Sequence, residues 1–160
     1  MATDREFLRH TLATLAYRGA KSVRGAPADF AEFKASPTSR TPAEILAHIG
    51  DLMTWALSLA RENHAYKEAP PMPWNEQVAR FHATMEALDG FLASDEPLAT
   101  SLERLFQGPI ADALTHVGQI TMLRRIFGAP MKGENYARAT IVAGVVGPNQ
   151  TPPDPKYEFD

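Results

Sequence analysis

Apolar residues recur along this chain at helical spacing, in blocks separated by proline-marked breaks. Thr3 and Glu6 form a capping-box pair, after which Phe7, Leu8, Leu12, Leu15, Ala16 and Val23 repeat on one face. Gly25-Ala26-Pro27 ends that helix, and residues 26–40 read as a loop with one short turn around Asp29–Lys34. Thr41-Pro42-Ala43-Glu44 gives the second helix an N-cap threonine, proline at the first helical position and glutamate at the third. Its stripe is Ile45, Ile49, Leu52, Ala56 and Leu59, running to about Asn63. After a proline-rich connection over 69–73, a third helix is predicted from about Asn75 to Ala93, with Val78, Phe81, Met85, Leu88 and Leu92 spaced by three and four.

Pro97 precedes a short helical stretch, Leu98 to Phe106, which Gly108-Pro109 separates from a fourth long helix ending at Phe127 before Gly128-Ala129-Pro130. The remaining residues are rich in glycine and proline and cannot form a long helix. They are expected to wrap the body as an extended tail with a short turn near Tyr136–Val142. No strand alternation, repeat or heptad run stands out. The pattern predicts an all-α protein: a four-helix bundle over 1–131 and a tail over 132–160 packed on it, one domain overall.

Composition narrows the chemistry. The 160 residues are 44% apolar and 22% charged, as in an ordinary folded domain, and long enough to bury a core without staples. A net charge of −3 gives no nucleic-acid footprint. The longest uncharged helical stretch, Leu52 to Ala60, falls far short of the ~20 residues a membrane span needs. Charges in MATDREFLRH occupy the place of a signal peptide's apolar core, so a cytoplasmic protein is expected. With no cysteine, disulfides, thiolate metal sites and an internal thiol nucleophile are excluded. Any metal must sit on imidazole and carboxylate.

Two of the five histidines fall on inward flanks. At 100° per residue His48 lies about 60° from Ile45 and about 40° from Leu52, and Trp55, seven residues on, shares that flank as a candidate pocket wall. On the fourth helix Asp112 and His116 are four apart, about 6 Å along the axis on one face, which continues into Ile120, Leu123 and Phe127. An Asp-x-x-x-His pair plus a histidine from a facing helix makes a two-histidine, one-carboxylate set with open positions for water or substrate. Gln119, one turn below His116, is placed to orient a ligand or water. The same residues also suit plainer roles. Asp112 fits the dipole of a helix start, and His48 and His116 fit core-edge histidines bonded to carbonyls. His10, His64 and His82 are read as surface residues, and Arg124 and Arg125 as dipole-compensating or paired. No G-x-S-x-G elbow, phosphate-cradling glycine motif or H-E-x-x-H is present.

Thr41-Pro42-Ala43-Glu44-Ile45-Leu46-Ala47-His48-Ile49 resembles the segment carrying the first histidine of DinB-family bundles. Ala113-Leu114-Thr115-His116-Val117-Gly118-Gln119-Ile120, followed by Leu123-Arg124-Arg125 and Gly128-Ala129-Pro130, is similar to that family's H-G-Q-type fourth helix. Residues 5–131 share its order of helices, and Gly133-Glu134-Asn135-Tyr136 resembles the extension of a subgroup. The resemblance implies a divalent metal, zinc, nickel, manganese or iron, held at one end of the bundle by three residues. Those are usually three histidines; His48 and His116 match the first and last, and Asp112 stands in the middle position, a departure that favours harder metals over zinc.

Family members include transferases using low-molecular-weight thiols and proteins described as metal-dependent hydrolases, and they often pair through bundle faces. The expectation is therefore a metal-dependent thiol transferase or hydrolase acting on a small molecule, with homodimers, and with no nucleic-acid or membrane partner. The alternative is a non-catalytic bundle that binds a small ligand or partner and uses the His/Asp cluster structurally.

Overall fold

The computed structural model describes residues 3–62 and 64–160. Four long helices dominate it: α1 (Asp4–Val23), α2 (Pro42–Ala60), α3 (Trp74–Ala93) and, after the four-residue α4 (Leu102–Leu105), α5 (Ala111–Phe127). Both predicted capping boxes form. Thr3 Oγ1 accepts from Glu6 N at 3.2 Å and Thr41 Oγ1 from Glu44 N at 3.2 Å, each glutamate returning to the cap's own N–H. Both α1 and α2 pack against α3 and against α5, so the ring order is α1–α3–α2–α5 and α2 lies beside α5.

Leu12, Leu15, Ile49, Met53, Phe81, Met85, Leu88 and Ile120 fill the centre with no exposed surface. Gly19 lets the Phe81 ring lie against α1, where a Cβ would collide with it. Truncating a core side chain such as Met85 to alanine costs about 2–5 kcal/mol in this kind of packing. Among the described residues, no helix is long and apolar enough to cross a membrane.

Several local expectations are corrected. Phe7, counted in the α1 stripe, is 69% exposed, since it stands in the first turn where no neighbouring helix covers it. The second helix stops at Ala60 rather than near Asn63, a position outside the described residues, and His64 lies exposed beyond it. Gly108-Pro109 does not break the chain. Phe106–Ile110 form a wide π-type turn that carries the backbone from α4 straight into α5, Pro109 included.

The tail is extended except for Tyr136–Arg138 and Pro155–Tyr157, but it contains a strand pair that the pattern did not show. Gly133–Glu134 (β1) and Glu158–Phe159 (β2) run antiparallel, each only two residues long. His82, expected on the surface, is buried: the tail crosses α3 there, Val146 is 2% exposed, and the His82 ring Nδ1 donates to the Val146 carbonyl at 3.1 Å. Burial lowers the pKa of His82, against the opposing pull of that carbonyl and of Glu86. Arg124 is buried as well, and donates to the carbonyls of Ala129, Ser22 and Arg24 at 2.7, 3.1 and 2.9 Å, closing the C-terminal ends of α5 and α1 together.

Candidate metal centre

His48 and His116 meet across the α2–α5 contact. The first turns of core packing on α2 fix His48: Ile45, Ile49 and Leu52 are buried around it, and the imidazole is left on the flank with 21% of its side chain exposed. On α5, Ala113, Val117 and Ile120 are buried, which turns Asp112 and His116 toward α2. The two imidazoles pack edge to face, centroids 4.8 Å apart. Asp112 lies between them, its Oδ1 3.3 Å from His116 Nε2 and its Oδ2 3.5 Å from His48 Nε2. One donor atom from each of the three lies within 4.8 Å of the other two.

The outer faces of both rings are engaged. His116 Nδ1 lies 2.8 Å from Gln119 Oε1. An amide oxygen only accepts, so this contact puts a ring proton on Nδ1, and in the neutral ring the Nε2 lone pair then faces the Asp112 carboxylate. His48 Nδ1 is 3.1 Å from the hydroxyl of Tyr66, on the loop between α2 and α3. That loop is tied down by Asp51, buried on α2, which accepts from Ala69 N at 3.1 Å and from Arg80 Nη2 at 2.7 Å. Gly50 makes room for the Arg80 guanidinium: a Cβ there would lie 2.7 Å from Nη1. Trp55 packs edge-on against Tyr66, centroids 5.9 Å apart, and lines a depression shared with Asp112 rather than the cleft beside the histidines.

Burial lowers the pKa of His48, helped by the charges of His116 and Arg40 and opposed by Asp112, so its ring favours the neutral form that binds a cation. Burial raises the pKa of Tyr66, with Asp51 and Glu68 adding to it, which keeps the hydroxyl protonated. A cleft of ≈540 Å³ opens beside the two histidines, with Gln119, Ile45, Met122, Leu123, Ser39 and Arg40 completing its wall. A second cavity of ≈480 Å³ lies on the other side of His48 and also reaches Arg40.

No family model, curated protein or solved structure matches this chain. The geometry therefore stands by itself.

That geometry fits a metal ion. The Nε2–carboxylate separations of 3.3 and 3.5 Å exceed the usual 2.7–3.2 Å of an N–H···O hydrogen bond. These two separations are near the ~3.4 Å edge between ligands that each stand about 2.1 Å from a tetrahedral ion, and all three ligand atoms lie within 4.8 Å of one another. His48, Asp112 and His116 could hold a cation together, Gln119 and Tyr66 holding the rings from behind. Spacing along the helices had pointed to Asp112, His116, His48 and Gln119. Tyr66 and Arg40 were missed, because each sits on a loop with no periodicity to read, although Arg40 immediately precedes a strong N-cap.

Proposed function

We propose that this protein is a metal-dependent enzyme of the DinB type, a thiol S-transferase or a hydrolase acting on a small molecule, with a divalent ion held by His48, Asp112 and His116. The observation that carries this reading is the convergence of His48, Asp112 and His116, one ligand atom from each within 4.8 Å of the others, with Gln119 on the far side of the His116 ring. With the rings neutral these atoms are all acceptors, and a cation between them makes the cluster attractive.

A divalent ion there would act as a Lewis acid, lowering the pKa of a thiol or water that reaches its open positions. The chain's own residues supply the rest. Gln119 fixes the His116 tautomer, Tyr66 braces His48, and the carboxylate of Asp112 reduces the net positive charge of the centre. The apolar wall of Ile45, Met122 and Leu123 excludes water from one side. Lacking cysteine, the protein must take any reacting thiol as a cosubstrate. Homodimers and a cytoplasmic location belong to the same reading, and sedimentation of the purified protein tests the first.

A second reading has one observation in its favour: Asp112 is near enough to both imidazoles to pair with them if they are protonated, which would make the cluster purely structural. Thermal melts separate the two. The metal reading predicts that zinc, nickel or manganese at a hundredfold excess over Kd stabilises the wild type by about 2.7 kcal/mol, reversibly by EDTA. It also predicts that His48→Ala and His116→Ala fold but gain nothing. Melts indifferent to metal and chelator, together with destabilisation by either substitution, establish the structural reading instead.

A further inference from the structure

We infer that the molecule taken by the cleft beside His48 and His116 is a small, mainly apolar compound carrying a terminal anionic group, and that Arg40 is the residue that selects it. The inference rests on the metal-centre reading and names the substrate class of that same site.

Arg40 is the one formally charged side chain in the cleft wall among the described residues, if the histidines are neutral. It reaches both cavities that flank His48. Arg40 has no carboxylate within 4.0 Å among the described residues, unlike Arg80, which pairs with Asp51 on the wall of the second cavity. Four acids line its second side: Glu44 holds the Thr41 N–H at 2.7 Å and Asp51 holds Arg80, while Glu32 and Glu68 are exposed and none of the four lies within 4.0 Å of the guanidinium. A guanidinium left free at the mouth of a site presents a planar fork of donors suited to a carboxylate or a phosphate.

The backbone that carries Arg40 is fixed from both sides. The Thr41–Glu44 capping box succeeds it directly. Before it, Ser36 and Ser39 form a reciprocal turn, each backbone N–H donating to the other's hydroxyl at 3.0 and 3.1 Å. The side chain is exposed, on a backbone hydrogen-bonded on both sides.

The rest of the wall sets the character of the body behind the anionic head. Ile45, Leu123 and Met122 are apolar, and Met122 is 58% exposed with an adaptable thioether chain. At ≈540 Å³ the cleft is too large for an inorganic anion alone and falls in the range of small organic ligands. Held at one end by Arg40 and along its body by these three side chains, such a compound lies against the imidazoles of His48 and His116.

Titration calorimetry on the full-length zinc-loaded protein tests this with hexanoate, hexyl phosphate, hexan-1-ol and hexylammonium as probes. The expected result is that one or both anions bind at least about tenfold tighter than the alcohol, with hexylammonium weakest; the two anions' ratio identifies the head group as carboxylate or phosphate. Arg40→Ala is expected to abolish that preference while zinc affinity stays within about twofold. Arg40→Glu should move the preference toward hexylammonium. Undiminished hexanoate and hexyl phosphate affinity in Arg40→Ala would show that the ion alone holds the anion, and would overturn the inference. If the protein takes up none of zinc, nickel, manganese or iron, the metal reading fails, and the same titrations on the metal-free protein still decide the role of Arg40. Equal affinity for hexanoate and hexan-1-ol there overturns it.

Discussion

Two clusters of polar side chains join distant parts of this chain, and they differ in one respect that decides what each can do. Beneath the tail, Lys21 Nζ donates to Glu134 Oε2 at 2.7 Å and to Glu158 Oε1 at 2.8 Å, and the Tyr17 hydroxyl donates to Glu134 Oε1 at 2.7 Å. Both oxygens of Glu134 are used, and its side chain is 1% exposed. Burial works against the Lys21 charge, but the bonds to Glu134 and Glu158 outweigh it and raise the pKa; burial, with Glu134, raises that of Tyr17 too. Between α2 and α5, by contrast, the Asp112 side chain is 48% exposed and converges with two imidazole nitrogens at distances too long for good hydrogen bonds. The first cluster is closed, and closes the tail onto α1 with it. The second is open, its three ligand atoms within 4.8 Å of one another beside a cleft. A saturated cluster fixes structure, whereas an unsaturated one is available for chemistry.

The largest expected effect lies in the closed cluster. Lys21→Met leaves Glu134 buried with only the Tyr17 hydroxyl, and should cost about 3–5 kcal/mol in urea unfolding. Asp112→Asn in metal-free protein should change stability by less than about 1 kcal/mol, because that carboxylate is half exposed. Equal costs for the two substitutions would erase the distinction between the clusters.

Next comes the residue behind the open cluster. Gln119→Leu removes the acceptor that sets the His116 tautomer, and zinc affinity measured by chelator competition should fall roughly 10–100-fold. Metal-free stability should move by no more than about 0.5 kcal/mol, as for other surface changes. An unchanged zinc affinity would mean that the Nδ1 contact does not orient the ring.

The smallest effect concerns His82, where the tail covers α3. Its folded pKa is lowered by burial, so the unfolded chain binds the proton more readily. The stability it contributes is complete above its ordinary value near pH 6.5 and is lost as the pH falls through the lowered folded value. Urea midpoints at pH 7.5 and 5.5 should therefore diverge more for the wild type than for His82→Gln, by less than the Lys21→Met effect. Identical pH slopes would show that the Val146 contact does not bury the ring in solution.

What was legible in the sequence was local. The capping boxes at Thr3 and Thr41, the apolar stripes apart from Phe7, and the Asp112–His116 spacing involve residues within one or two turns of each other, and their local positions agree with the structure. The place of His48 on the flank of its buried stripe also came from one helix's periodicity; that this flank faces α5 did not. What was not legible depends on segments far apart. His82 is 64 residues from the carbonyl that holds it, and its helical position says nothing of a tail arriving there. Gly108 and Pro109 are ordinary break signals, yet packing carries the helix through them as a wide turn just ahead of Asp112. Tyr66 and Arg40 come from loops whose paths are set by Asp51 on α2 and by paired serines.

Whether the open cluster is a metal centre is decided by elemental analysis of protein purified without chelator and without a nickel affinity step. The expected result is about one equivalent of a divalent transition metal per chain in the wild type. His48→Ala and His116→Ala, still folded, should carry little or none. A wild-type protein that emerges metal-free and takes up no zinc, nickel, manganese or iron on reconstitution would contradict the assignment.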